Sequence, residues 1–249
     1  QNLEDVVRKI GFKNFIVVND SFLGIKAGTT YGYGVCSVNG TGTSSGGIDP
    51  KGNTLQVGGI GQITGDEAGG YHLSRQVVRA AFDYAYRFGK PTSLYKIVMD
   101  FLGITDKYYL MEAISTQYLT RKKNYTDLTI ALFEEANKGD EVAIEILKST
   151  AEQLARSAGG CVVNLDFDSE VEVVLVGSVW VKGSCPILIQ EFNRLINLYT
   201  NKKCVIKVLE VPPATGAIIW ALELATGKFP SLESRQVIIN TVANELNKN

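Results

Sequence analysis

The chain has 249 residues, 45% hydrophobic and 20% charged, with 25 basic side chains against 26 acidic ones and a net charge of −1. That length suits one large domain or two small ones, and the even charge balance offers no basic excess for nucleic acid or an anionic membrane. No apolar run approaches the roughly twenty residues of a transmembrane helix, and residues 1–5 are polar and acidic, unlike a signal peptide, so an ordinary soluble, cytoplasmic globular protein is expected.

Residues 4–10 read as the end of a helix. Phe15-Ile16-Val17-Val18-Asn19 is a short, β-branched apolar run, expected to be a buried strand. Asp20 closes it, and a short helix over 21–28 follows. A second strand is expected over 33–38. Two glycine-rich loops come next, 39–47 and 58–70, on either side of the turn-forming Asp49-Pro50-Lys51-Gly52-Asn53. From about 67 to 165 the chain turns helical. Val77, Val78, Ala81, Ala85 and Phe88 recur at helical spacing until Gly89-Lys90-Pro91 stops them. Further helices are expected near 92–102, 108–119, 125–137 and 140–160, the last capped by Asp140. A strand over 171–176, a helix over 186–198, a strand over 204–211 and an apolar helix ending near Gly227 complete an α/β pattern.

Glycine at the density of those two loops costs conformational entropy and is kept where the backbone approaches something closely or takes positive φ. Thr and Ser hydroxyls beside it suit phosphate oxygens or sugar hydroxyls. Gly40-Thr41-Gly42-Thr43, after a strand, can cradle phosphate with its amides, yet it is neither a Walker loop nor a dinucleotide fingerprint. Asp20 stands at the strand's carboxyl end, where open α/β sheets bind ligands. There it can act as general base on a hydroxyl or simply cap the next helix. Asp66-Glu67 opens a helix between glycines and can either satisfy free helix amides or hold sugar hydroxyls. His72, the single histidine, reads as structural. Cys36, Cys161, Cys185 and Cys204 contain no Cys-x-x-Cys pair, so no metal site is expected, and they read as small hydrophobes in a reducing compartment.

Five blocks carry a resemblance: Val18-Asn19-Asp20, Asn39-Gly40-Thr41-Gly42-Thr43, Gly58-Gly59-Ile60-Gly61, Gly65-Asp66-Glu67-Ala68-Gly69 and Val176-Gly177-Ser178-Val179-Trp180. In order and spacing the chain resembles the N-acetylglucosamine kinase family, which sits with the BadF/BadG-type ATPases in the actin, Hsp70 and sugar-kinase superfamily. The resemblance covers essentially the whole chain. It implies a ribonuclease-H-like α/β fold with a large helical insertion over about 67–165, ATP and Mg2+ as cofactors, and a homodimer. It also implies an amino-sugar acceptor, N-acetylglucosamine first, phosphorylated on its 6-hydroxyl. By the same resemblance Asp20 would be the general base. Thr41 and Gly42 would touch ATP, and Thr43, Ser44, Gly59, Ile60, Gly61 and Asp66 would line the sugar. Gly177 and Ser178 would face adenosine, and Gly216 would ease packing near the nucleotide.

Three departures stand out. Ile60 replaces the family's usual Trp, which keeps N-acetylmuramic acid and glucosamine open as acceptors. Ala68-Gly69-Gly70 replaces the commoner Gly-Ser. The family's first phosphate loop, an Asp-Gly-Gly-Gly-Thr segment, is absent from this sequence, so the chain is expected to match the C-terminal two-thirds of a kinase and to turn over negligibly alone. Two other readings remain open. One is an activator ATPase of the 2-hydroxyacyl-CoA dehydratase kind, whose paired cluster cysteines Cys161 and Cys185 do not reproduce. The other is a non-catalytic nucleotide- or sugar-binding regulator, against which Asp20 and Asp66 argue. The zinc-binding cysteines of ROK sugar kinases are not matched.

Overall fold

A computed structural model describes residues 2–120 and 124–246. Strands β1 (Gly34–Asn39), β2 (Thr43–Ile48) and β3 (Thr54–Val57) form an antiparallel meander, and β4 (Glu170–Val176) and β5 (Lys203–Val208) add on in parallel, giving the order β3-β2-β1-β4-β5. The central strands are buried on both faces, so β4 reads as a near-continuous apolar run, and its side chains alternate between two cores. Val171, Val173 and Leu175 join the larger core beneath helices α7 (Glu141–Asn164) and α9 (Pro186–Thr200). Val174 and Val176 join a smaller one with Phe22 and Ile25 of α2 (Asp20–Gly28), on the side where α10 (Thr215–Thr226) packs. This is the mixed α/β layer of a ribonuclease-H-like domain.

Between β3 and α7 lies the helical block: α3 (Gly70–Tyr86), α4 (Leu94–Leu102), the short α5 (Leu110–Ala113) running into a π turn at Ile114–Tyr118, and α6 (Thr126–Asn137). The long helical stretch therefore divides by its partners. α3, α4 and α6 pack on one another, whereas α7 crosses β1, β2 and β3 and belongs to the sheet layer. Asp140 caps α7 through the Ala143 amide at 3.0 Å and also accepts the Ser93 amide at 2.8 Å, tying the starts of α4 and α7 together.

Three expectations need correction. Residues 15–19 form no strand. No described strand lies alongside them, and Ile16 and Val17 are exposed, so an apolar β-branched run without a neighbour stays irregular. The stretch 39–47 is not one loop, because Thr43–Ile48 is strand β2, and Thr54–Val57 adds a further strand unread in the sequence. Its glycines serve the sheet: a Cβ on Gly46 would lie 2.3 Å from Ser21 Oγ of α2, and one on Gly47 would lie 2.5 Å from Leu165 Cδ1, just past α7 on the opposite face. The sequence reading also passed over α11 (Leu232–Leu246), although Ser231 supplies a start, its Oγ accepting the Ser234 amide at 3.2 Å.

α2 and α10 cross closely. A Cβ on Gly216 would sit 1.9 Å from the Leu23 carbonyl oxygen. Lys26, almost fully buried, pairs with Glu223 at 2.6 Å between the rings of Trp220 and Phe229. Gly216→Ala sets a helix-propensity gain of about 1 kcal/mol against overpacking of about 1–3 kcal/mol or more. Backbone oxygen cannot swing aside, so the clash dominates, and urea denaturation should show a net loss of about 2 kcal/mol.

Candidate functional site at the β1–β2 hairpin tip

The tip of the β1–β2 hairpin, Gly40-Thr41-Gly42, is docked on the start of α3. Asn39 Oδ1 accepts the Gly69 amide at 2.8 Å, and the Gly40 carbonyl accepts the Gly70 amide at 2.7 Å. These acceptors satisfy amides that a helix start leaves free. Gly69 is required here: its φ is +88°, and a Cβ would meet the Thr41 carbonyl oxygen at 2.6 Å. Gly177 closes the other side, where a Cβ would lie 2.5 Å from the Asn39 carbonyl oxygen. Past Gly177 runs the short helix α8 (Ser178–Lys182).

Tip, α6 and α8 enclose a cavity of about 670 Å³, lined by Thr41, Gly42 and Ser178 together with Tyr71, Tyr125, Ile130 and Lys182. Gly40 and Gly42 differ from the other tip glycines. Neither has positive φ, and a Cβ on either would meet no atom within 4 Å, so packing does not call for glycine at these positions. Among the described residues the amides of Thr41 and Gly42 donate to no backbone carbonyl.

Two residues along β2, about 7 Å at strand rise, the Ser44 hydroxyl donates to Asn19 Oδ1 at 3.1 Å. Asn19 also accepts the Ser21 amide at 3.0 Å and is the cap of α2. The capping alternative for Asp20 is thus taken by its neighbour, and the Asp20 carboxylate stands exposed at the first turn of α2. Thr43 donates its hydroxyl to the Val38 carbonyl. Beside Ser44 lies the second loop, a Cβ on Gly59 falling 3.2 Å from Ser44 Cβ. Asp66 organises that loop: Oδ2 accepts the amides of Gly59 at 2.8 Å and Gly61 at 2.6 Å, and the Thr64 hydroxyl at 3.3 Å. Ile60 and Ile63 project from it, 75% and 91% exposed.

The profile of the BadF/BadG/BcrA/BcrD ATPase family matches residues 2–221. The chain belongs to this family. It is 31% identical over 220 residues to the N-acetylmuramic acid/N-acetylglucosamine kinase of Clostridium acetobutylicum, covering 88% of this chain and 71% of that protein. It is 26% identical over 213 residues to the N-acetyl-D-glucosamine kinase of Dictyostelium discoideum, covering 84% of this chain and 66% of that protein. Among solved structures, a Chromobacterium violaceum protein provisionally assigned as an N-acetylglucosamine kinase superposes with TM-score 0.58 at 20% identity, over 88% of this chain and 70% of that one. A ROK-family glucokinase from Streptomyces griseus, solved with glucose and AMPPNP, gives 0.51 at 16% identity, over 86% and 69%. The fold is that of the actin-like sugar kinases.

In this BadF/BadG-type ATPase the expected site residues fall into two adjoining groups and an outlier. Thr41, Gly42 and Ser178 line the cavity, with Gly177 against the hairpin behind them. Ser44, Gly59, Ile60, Gly61 and Asp66 gather around the second loop, where Ser44 reaches the residue next to Asp20, and Thr43 links the two groups. Gly216 lies apart, packed on α2. Asp66-Glu67 does not open α3, which starts at Gly70. Its flanking glycines have other causes, Gly65 ending a 3-10 turn and Gly69 meeting the hairpin. His72 bonds Gln76 at 3.0 Å. Burial pushes its imidazole below the usual range, with Arg75 acting the same way and Glu67 opposing. The thiols are buried, Cys161 being pushed up to about 12 by desolvation. Sequence reasoning missed Asn39 as the tie to α3, and the cavity wall from α6.

Asp66→Ala removes the shared acceptor of the Gly59 and Gly61 amides. Because bonds to charged acceptors are the stronger ones, hydrogen exchange at both amides should accelerate about tenfold while Gly69 and Gly70 keep their protection.

Proposed function

We propose that this chain carries the nucleotide cleft and acceptor loop of an ATP-dependent amino-sugar kinase. The observation behind this is that Gly40 and Gly42 answer to no internal packing or φ demand and line a cavity at the hairpin tip, with Ser44 two residues further along β2. Backbone without side chains, with free amides, suits phosphate oxygens drawn in close. The acceptor side then lies about 7 Å along the strand from the phosphate turn, and phosphoryl transfer needs acceptor and phosphate brought together.

In this reading the Thr41 and Gly42 amides bind the phosphates, and Tyr71, Tyr125 and Ile130 shield the base. Asp20, exposed and relieved of capping duty by Asn19, takes the proton of the attacking hydroxyl. Asp66 shapes the sugar loop, and its remaining oxygen, Oδ1, is left to accept sugar hydroxyls. Among the described residues no three His, Cys, Asp or Glu side chains gather into a metal site. A Mg2+ ion would then be held mainly by nucleotide phosphates and water and would neutralise charge on the transferring group. Kinship with two N-acetylglucosamine-acting kinases supports an N-acetylated amino sugar, and the family resemblance supports the 6-hydroxyl and a homodimer. The four unpaired, buried thiols accord with a cytoplasmic setting.

Two measurements on the intact protein test this. Phosphorylation assays with N-acetylglucosamine, N-acetylmuramic acid and glucosamine should show ATP-dependent product with at least one, and none with any would end the reading. Asp20→Asn should lower kcat by about 10²–10⁴ while leaving the sugar KM within a few-fold. Retained turnover would remove Asp20 as the base.

A further inference from the structure

Among the described residues sixteen line the nucleotide cavity, and of these Lys182 is the one lysine, arginine or carboxylate. It ends α8, which starts at Ser178 beside the hairpin tip and places Lys182 about 6 Å further along the axis. Among the described residues Lys182 forms no ion pair, and its side chain is exposed. The segment that carries it is nonetheless built. A Cβ on Gly183 would lie 2.4 Å from the Val179 carbonyl oxygen and 2.8 Å from Phe133 of α6, and Asn137 Nδ2 donates to the Ser184 carbonyl at 3.2 Å. The end of α8 is thereby fixed against α6 at the cavity wall.

We infer that Lys182 is a specificity-determining residue of this cleft: its ammonium binds the phosphate chain of the nucleotide and selects nucleotides over uncharged nucleosides. The inference rests on the nucleotide reading of the cavity. The other described lining residues offer apolar groups, hydroxyls and amides, which can shelter a base and ribose but carry no charge to set against phosphate. A lysine is a compact cation on a flexible stem, and a hydrogen bond between charged partners is about twice as strong as a neutral one.

Isothermal titration of the intact protein with ADP and with adenosine tests this, using wild type, Lys182→Ala and Lys182→Arg. Lys182→Ala should bind ADP about tenfold more weakly and adenosine as wild type does. Lys182→Arg should recover most of the ADP affinity, and raised salt should weaken ADP binding less in the alanine variant than in wild type. Unchanged ADP affinity in Lys182→Ala, or equal losses for ADP and adenosine, would overturn the inference while leaving the cavity a nucleotide site. If wild type bound neither ligand, the nucleotide reading itself would fall and this inference with it.

Discussion

The seating of the β1–β2 hairpin tip on the first turn of α3 is the contact on which the rest of the site depends. Asn39 and Gly40 lend acceptors to the amides of Gly69 and Gly70, and only glycine at 69 allows the backbones so close. Sheet and helical block are joined there by one side-chain and one main-chain acceptor on main-chain amides, and such directional bonds hold position more sharply than apolar packing. One wall of the cavity is consequently sheet and the other helix, and the turn lining it is held from behind. Thr129 of α6 adds to the junction by donating to the Gly70 carbonyl at 3.0 Å.

Glycines divide by what demands them. Gly46 and Gly47 are small because side chains of Ser21 and Leu165 press on the strand from its two faces, and Gly216 because α10 meets the backbone of α2. Gly69 and Gly177 combine positive φ with close approach to the hairpin. Gly40 and Gly42 have neither cause and line the cavity. Density along the chain cannot tell these cases apart.

α2 links the acceptor side to the opposite end of the domain. Its first residue is the exposed Asp20; its last turn holds Lys26 between Trp220 and Phe229, paired to Glu223. Just beyond it, Arg235 of α11 donates to the carbonyls of Thr29 at 2.7 Å and Thr30 at 2.8 Å while lying over Phe229. A helix anchored this way at its far end holds the direction in which Asp20 projects from its first turn.

Much was legible in the sequence. Period and turn chemistry located β1, β4, β5 and most helices, because those elements are set by local apolar spacing, caps and glycine stops. The motif blocks singled out Thr41, Gly42 and Ser178, which line one cavity, and Asp66, which ties the second loop, since each is a short backbone device with its own residue signature. Tertiary structure decided the rest. It made Thr43–Ile48 a strand despite its glycines, because α2 and α7 press on both faces. It left the apolar run 15–19 unpaired for want of an adjacent strand. It gave the cap of α2 to Asn19 and so freed Asp20, and it brought the α6 wall and Lys182 to the hairpin tip across separations of about eighty-five and a hundred and forty residues. Local chemistry writes turns, caps and periods into consecutive residues, but a cavity wall is a meeting of distant ones, and no spacing along the chain records it.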